Sequence, residues 1–288
     1  MADLPLVAAV VVNWNGREET LACLASLVES RGVRLMVVVV DNGSTDGSVT
    51  AIQARYPTVE VIALPSNRHF AAGANVGLRH GLAQGADYLW LLNNDVLLDP
   101  DALAEKVRIA ESDSRIGIIG ARLVHPTNPP GVIVGANCDL RTGAIIEPAP
   151  PTGPRQNRLA VDYVWGCAML IRAAVLIEVG FFDERLVAYF EDTDMCLRAA
   201  RHGWQTTTAL KATVHHVGSR SANRRFLQQM FLRGRNWWRV YWRHAPARDR
   251  KRLFVWLWGY RLPHLLWSTL VTVIVRTLRP RGRPIRLR

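Results

Sequence analysis

Three apolar runs in the first hundred residues each end in a polar cluster, and this repetition narrows the fold sharply. Leu6–Val12 ends at Asn13-Trp14-Asn15-Gly16, Leu35–Val40 ends at Asp41-Asn42, and Tyr88–Leu92 ends at Asn93-Asn94-Asp95. Short unbroken apolar runs suit strands buried on both faces of a parallel sheet. Helical spacing lies between them: Glu18–Glu29 places Leu21, Leu24, Ala25 and Val28 on one face. Asn42 to Ser48 reads as a turn that caps the next helix. Val59–Leu64 reads as another strand, and Asn67–Asn75 as a loop leading into a helix that runs to about Gly81. Asp99-Pro100 opens a further helix, with Asp as N-cap and Pro in the first helical position. The βαβαβαβ order predicts a parallel, doubly wound α/β sheet. Ligands of such sheets sit beyond the carboxyl ends of the strands, so the three polar clusters should meet at one edge.

Residues 125–160 hold seven prolines and read as a long loop or loose hairpin over that edge. Strands resume near Tyr163–Ile171, Asp192–His202 reads as a short helix, and Ala209–Val217 as a strand carrying His215-His216. The four cysteines lack C-x-x-C or zinc-finger spacing, which points to free thiols in a reducing compartment. Met1 to Pro5 lacks the basic start of a signal peptide. The catalytic part is therefore expected in the cytoplasm.

Charge is divided unevenly. From Lys211 onward, 19 Lys and Arg stand against one acid, so this segment carries +18 of a net charge of +12 and leaves −6 for residues 1–210. A polyanionic partner is implied for the tail, either nucleic acid or an anionic membrane surface. Six of the ten tryptophans follow residue 211, and the apolar stretch Leu253–Leu278 is broken by Arg261, Pro263 and His264. Trp and Arg beside apolar surface suit an interfacial helix pair on an anionic leaflet. Packing on the rest of the chain or homodimer formation is the next alternative, and a true membrane span the third. The apolar core of the tail fits lipid better than a phosphate backbone, so nucleic acid is not the expected partner.

Several carboxylates are placed for chemistry. Asp95 follows a buried strand, where a carboxylate can hold a hard divalent cation that neutralises a departing diphosphate. Asp41 can accept hydrogen bonds from a nucleobase or ribose, or cap a helix. Phe190-Glu191-Asp192-Thr193-Asp194 opens a helix with three acids. Capping needs only one or two of them, which leaves a carboxylate for general-base work. The His215-His216 pair at a strand end offers a metal or phosphate contact. No G-x-G-x-x-G follows the first strand, as a dinucleotide oxidoreductase would require, nor the Gly-rich, Arg-containing loop of a sugar nucleotidyltransferase.

The order strand–Asp, strand–Asn-x-Asp, Glu-Asp-x-Asp, His resembles the family 2 inverting glycosyltransferases of the GT-A fold, in their rhamnosyltransferase-like branch. The matching stretches run from Val11 to Gly16, Val39 to Ser48, Asn67 to Gly77, Leu91 to Asp95, Trp165 to Arg172, Gly180 to Glu184, Phe190 to Asp194, and His215-His216. The resemblance implies a GT-A fold, Rossmann-like with a mostly parallel central sheet. It implies a catalytic domain over residues 1–218, with 1–98 the nucleotide half and 99–218 the acceptor half, and a helical, membrane-associating tail over 219–288. Asp41 would contact the donor base with Asn13 beside it, and Asn15, Asn67, Arg68, Asn75, Asn93 and Asn94 would line the nucleotide-sugar site. Trp165 and Gly166 would border the sugar and acceptor. Asp95 and His216, or else His215, would hold Mg2+ or Mn2+. Asp192 would be the general base, with Glu191 adjoining it.

The donor implied is dTDP-rhamnose, with a UDP-hexose as alternative. The acceptor would be a glycan or lipid-linked glycan of a cell-surface polysaccharide, met at the cytoplasmic face of the plasma membrane by a peripheral enzyme. Two positions depart from the family pattern. Asn93 stands for the first acid of Asp-x-Asp, which weakens metal affinity, and His69 stands where relatives usually carry Gly.

Overall fold

The computed structural model describes residues 4–126, 131–151, 153, 156–217, 226–256 and 259. In chain order its elements are β1 (Leu6–Asn13), α1 (Arg17–Leu27), β2 (Arg34–Asp41), α2 (Ser48–Arg55), β3 (Glu60–Ala63), α3 (His69–Ala83), β4 (Tyr88–Asn93) and β5 (Val96–Leu98). There follow α4 (Ala102–Glu111), β6 (Ile116–His125), β7 (Gly131–Ile133), β8 (Asn137–Asp139), β9 (Ala144–Ile146), β10 (Arg158–Ala160) and β11 (Ala168–Arg172). The last are α5 (Ala173–Val179), α6 (Glu191–Arg201), β12 (Gln205–His216), α7 (Phe226–His244) and α8 (Arg250–Trp256).

The main path of the large sheet runs β10-β12-β6-β11-β4-β1-β2-β3. The stretch β4-β1-β2-β3 is parallel throughout, as the apolar runs predict. Beyond it, β11 lies antiparallel between β4 and β6, and β6 pairs with β12 in parallel. Side chains of β1 alternate across the sheet. Val7, Ala9 and Val11 join a core with Leu24 of α1, Ile52 of α2 and Leu103 of α4. Ala8, Val10 and Val12 join the opposite core with Leu78 of α3, Leu176 of α5 and Met195 of α6.

Local polar contacts explain where elements start. α3 begins at His69, well before the expected Asn75. Asn42 of the β2 turn accepts from Arg68 N (3.0 Å) and donates to His69 O (2.9 Å), while Asn67 Oδ1 accepts from His69 N (2.7 Å). These bonds stop the loop at residue 68. α4 begins at Ala102, two residues past Pro100, because Val96–Leu98 is drawn into a strand against β12. The Pro-rich stretch carries the β8–β9 ribbon and β10, which pairs with β12, in keeping with a loose hairpin.

Two compact units are distinguished: residues 1–138 with 145–240, and residues 139–144 with the described residues from Tyr241 on. In the second unit Arg141, Arg248, Asp249 and Arg252 line a shallow depression of about 320 Å³. The helix pair expected over Leu253–Leu278 lies almost wholly outside the described residues. Among the described residues, no helix is long and apolar enough to cross a membrane.

α3 lies close on β1 and β2 because Gly77 faces the sheet. A Cβ there would stand 2.3 Å from Val10 Cγ1 and 2.9 Å from Val40 Cγ2. Overpacking of this kind costs about 1–3 kcal/mol. Gly77→Ala is expected to lower the urea midpoint at unchanged m-value.

Candidate active site

The three polar strand ends meet, as the sequence implies. In the parallel ladder Asn13 stands opposite Asp41, and Val12 opposite Asn93. Asn13 Nδ2 donates to Asp41 Oδ2 at 2.7 Å, and Asn13 Oδ1 accepts from Asn94 Nδ2 at 3.1 Å and from Thr20 Oγ1 at 2.8 Å. Asp41 Oδ1 takes Ser44 N (2.8 Å). Asn15, in the left-handed region at φ 50°, accepts from Thr45 N at 2.8 Å. The buried network thus shapes a loop rim on which Asn15, Ser44 and Thr45 are fixed. Asn94 is turned inward to this network.

Asp95 is nearly buried, and among the described residues its Oδ1 has no hydrogen-bond partner. His216 Nε2 lies 3.3 Å from that oxygen. His215 alternates to the other side of β12 and faces Asp99 instead, at 3.4 Å. Of the two histidines, only His216 therefore joins Asp95. His125, at the end of neighbouring β6, packs edge-on against the His216 ring at 5.3 Å. Burial, then His216, holds the His125 pKa down. Sequence reading missed His125. Its only signal is its place at a strand end, and that becomes legible once β6 is known to run beside β12. Among the described residues no group of three or more His, Cys, Asp or Glu side chains forms a cage for a metal ion.

Asp192 lies in the first turn of α6, half-buried. Its Oδ2 accepts from Gly166 N at 2.9 Å, and its Oδ1 from Thr193 N at 2.7 Å. Trp165, tilted against Tyr163 at 5.4 Å between ring centres, precedes Gly166. Phe70 of α3 lies across the same gap, 3.9 Å from where a Gly166 Cβ would be. The next residue, Cys167, joins the two halves: its carbonyl accepts from Asn93 N at 3.0 Å. Burial pushes its thiol up to about 12; Lys106 opposes this, and the charges of both Asp192 and Asp95 add to it. The Gly166–Cys167 stretch is thus bonded both to Asp192 and to the end of β4 that leads into Asp95.

Glu191 is buried, with Oε2 unpartnered among the described residues, and burial followed by the charge of Asp192 pushes it up to about 8. Burial also raises Asp192, while hydrogen bonds from Gly166 and Thr193 hold it back. Of the pair, Asp192 ionises first. Lys106 is a buried cation that sequence reading also missed, because it occupies an ordinary helical position. It hydrogen-bonds Ala168 O and lies 5.3 Å from the Trp90 ring centre, and burial lowers it to about 7.

Other expected residues have structural engagements. Asn75 is fully committed: Nδ2 donates to Phe182 O (2.9 Å) and Glu184 Oε1 (3.0 Å), and Oδ1 accepts from Phe182 N (3.0 Å). These bonds fasten α3 to the segment ahead of α6. Asn67 shapes the α3 entry. Arg68 is exposed beside Glu184, with their charged atoms 3.8 Å apart.

Residues 5–236 match the family model described as glycosyltransferase-like family 2. The N-acetylglucosaminyl-diphospho-decaprenol L-rhamnosyltransferase of Mycobacterium tuberculosis is 29% identical over 250 residues, 78% of this chain and 79% of that protein. The galactofuranosyltransferase GlfT1 of the same organism is 31% identical over 226 residues, 74% of this chain and 71% of that protein. The mannosyltransferase PcManGT of Pyrobaculum calidifontis, solved with GDP-Man and Mn2+, superposes with TM-score 0.62 at 16% identity, over 96% of this chain and 82% of that one. At that identity the likeness speaks for the fold, which is the expected GT-A architecture.

The state of Glu191 gives a pH signature. The folded protein keeps its proton up to about pH 8, whereas an unfolded glutamate releases it near 4.5. Across that window the folded form binds more protons, so this group's contribution to stability is lost as pH rises. Chemical denaturation at pH 5 and pH 8.5 should show a smaller decline for Glu191→Gln than for the wild type.

Proposed function

Because the chain belongs to glycosyltransferase-like family 2, we propose that it transfers a sugar from a nucleoside diphosphate to an acceptor hydroxyl with inversion, rhamnose from dTDP-rhamnose being the foremost donor. The observation that carries this reading is that Gly166 and Cys167, at the carboxyl edge of the sheet, hydrogen-bond respectively to Asp192 and to the β4 end that leads into Asp95. One carboxylate is buried beside an imidazole, the other half-buried and open to a second substrate.

In this reading Asp41 and Asn13 define the nucleotide end, with the Asn15–Thr45 rim around it. Asp192 takes the acceptor proton on one of its two oxygens, each already oriented by one backbone N–H. Its raised pKa makes it a stronger base. Glu191, kept neutral by burial, adds no second negative charge beside it. The acceptor oxygen then attacks the anomeric carbon from the face opposite the diphosphate, and a single displacement inverts the configuration. Trp165 and Tyr163 supply an aromatic wall on the acceptor side.

Mg2+ or Mn2+ fits Asp95 and His216: one hard carboxylate oxygen without a hydrogen bond among the described residues, and one imidazole nitrogen beside it. The remaining positions would fall to diphosphate oxygens and water, as is usual for such ions. When bound, the ion would neutralise charge on the departing diphosphate. The rhamnosyltransferase relative, named for a diphospho-decaprenol substrate, supports a lipid-linked glycan acceptor, and the galactofuranosyltransferase keeps a different donor sugar in view. A lipid-linked acceptor agrees with a peripheral place on the cytoplasmic membrane face, with residues 219–288 as the attaching part. Phe254 and Val255 are exposed next to Arg250, Lys251 and Arg252 in α8, a pairing suited to an anionic leaflet.

In a nucleotide-sugar panel, we expect one donor to be turned over. Asp192→Asn should lower transfer by about 10² to 10⁴ and leave dTDP or UDP affinity, measured calorimetrically, within about twofold of the wild type. Equal transfer by the variant would remove Asp192 from its role. Asp95→Ala should instead weaken nucleotide binding in Mn2+ and leave little further response to chelator. The full chain should sediment with phosphatidylglycerol-containing vesicles in low salt, and not with phosphatidylcholine vesicles or duplex DNA.

A further inference from the structure

The segment that delivers Asp192 is strained. Val187, Tyr189 and Phe190 have φ of 68°, 69° and 70°, in the region that favours glycine, and none of them is glycine. Val187, with ψ −64°, is the centre of a tight γ-turn closed by Ala188 N on Leu186 O at 2.7 Å. This turn is rare and strained, and more so for a β-branched residue. Phe190 then sits left-handed at the N-cap, and α6 starts at once, with Asp194 N bonding to Phe190 O at 2.9 Å. Such conformations persist only where their surroundings over-determine them.

One side chain does most of the holding. Asn236 of α7 is completely buried, and its Nδ2 points at three carbonyls of the turn: Leu186 O at 2.5 Å, Ala188 O at 2.9 Å and Tyr189 O at 3.0 Å. Its two amide protons serve all three. Arg235 Nε donates to Asn236 Oδ1 at 3.1 Å, which fixes the amide with its nitrogen toward the turn. Arg235 and Arg239 also reach Arg185 O, at 3.1 and 3.2 Å, and the Arg233 guanidinium lies over the Tyr189 ring at 4.3 Å. From the opposite side Ala71 N of α3 donates to Val187 O at 3.2 Å. Carbonyls turned inward by a left-handed backbone need donors, and α7 provides them.

We propose that Asn236 is a positioning residue for the reaction. It locks Leu186–Phe190 in the strained shape that sets where Asp192 meets the acceptor, and so acts through Asp192 while touching neither substrate. The proposal rests on the reading of Asp192 as the general base. It extends the machinery of transfer to α7, some 45 residues past the base in sequence.

The test compares full-length Asn236→Ala, Asn236→Ser, Asp192→Asn and the double variant Asn236→Ala/Asp192→Asn. Turnover is read with the donor found in the panel, and binding with dTDP and UDP in Mn2+. We expect Asn236→Ala to lower kcat about tenfold to a hundredfold, with donor KM and nucleotide affinity within about twofold. Asn236→Ser, which keeps one donor, should fall between it and the wild type. The acid limb of the kcat–pH profile should move, because the Gly166–Asp192 hydrogen bond is disturbed. The double variant should be no slower than Asp192→Asn alone, the non-additivity expected of residues acting as one unit. Independent, multiplying losses in the double variant would overturn the proposal. So would an equal loss of nucleotide affinity and kcat, or a wild-type rate in Asn236→Ala. If Asn236→Ala loses its far-ultraviolet circular dichroism, Asn236→Ser carries the same comparison. Full transfer by Asp192→Asn would instead overturn the base assignment itself, a result separable from any outcome at Asn236.

Discussion

The register of β4-β1-β2 is the constraint on which the site depends. Asn13 and Asp41 are level in the ladder, and Asn93 is one step behind, opposite Val12. A slip of one residue would turn Asn13 to the other face of the sheet. It would also leave the amide of Asn13 and the carboxylate of Asp41 buried without partners, each at a cost of about 1–3 kcal/mol or more. The Asn13–Asp41–Asn94–Thr20 network therefore works against misregister as well as shaping this edge of the sheet. Gly16 belongs to this constraint, since a Cβ there would collide with Asn94 Nδ2 at 2.2 Å.

The second half of the site is tied to the first through one short stretch. β11 runs antiparallel to β4, and this reversal brings residues 165–167 to the same edge where β1, β2 and β4 end. Gly166 offers its N–H to Asp192, and Cys167 its carbonyl to Asn93. Asn75 and Asn236 then hold the approach to α6 from two further helices. Neither is at the chemistry, yet both take up backbone groups that an irregular, buried turn would otherwise leave unpaired.

Much of the nucleotide half was legible because apolar runs broken by polar clusters report both strand and strand end. Asp95 with His216, and Asp192 near Gly166, followed from motif order. The rest was obscured for physical reasons. β11 reads like any buried strand, and nothing in Ala168–Arg172 announces that it runs against its neighbours. The early start of α3 depends on Asn42, 26 residues away in sequence from the Arg68 it holds. Asn75 looked like a polar contact for a ligand, because helical spacing cannot say whether a buried amide meets substrate or backbone. Asn236 was hidden in a basic, Trp-rich segment whose composition points to membranes, while its own work is local hydrogen bonding.

The acids at the start of α6 show how one motif divides its labour. All three lie in the first turn, where the helix dipole favours negative charge. Asp194 is buried and spent on Arg198, whose guanidinium in turn fastens Val179 O and Phe181 O. Glu191 is buried without a cation, and holding its proton is the less costly state. Asp192 alone keeps both an opening to the cleft and backbone donors that favour the carboxylate. Each acid's protonation therefore follows from its partners, although the three residues are neighbours in sequence and similar in chemistry. A negative charge is thus favoured at Asp192 and withheld from Glu191 beside it. The strained turn leads directly into this first helical turn, so the same backbone that costs conformational energy also brings Asp192 to Gly166.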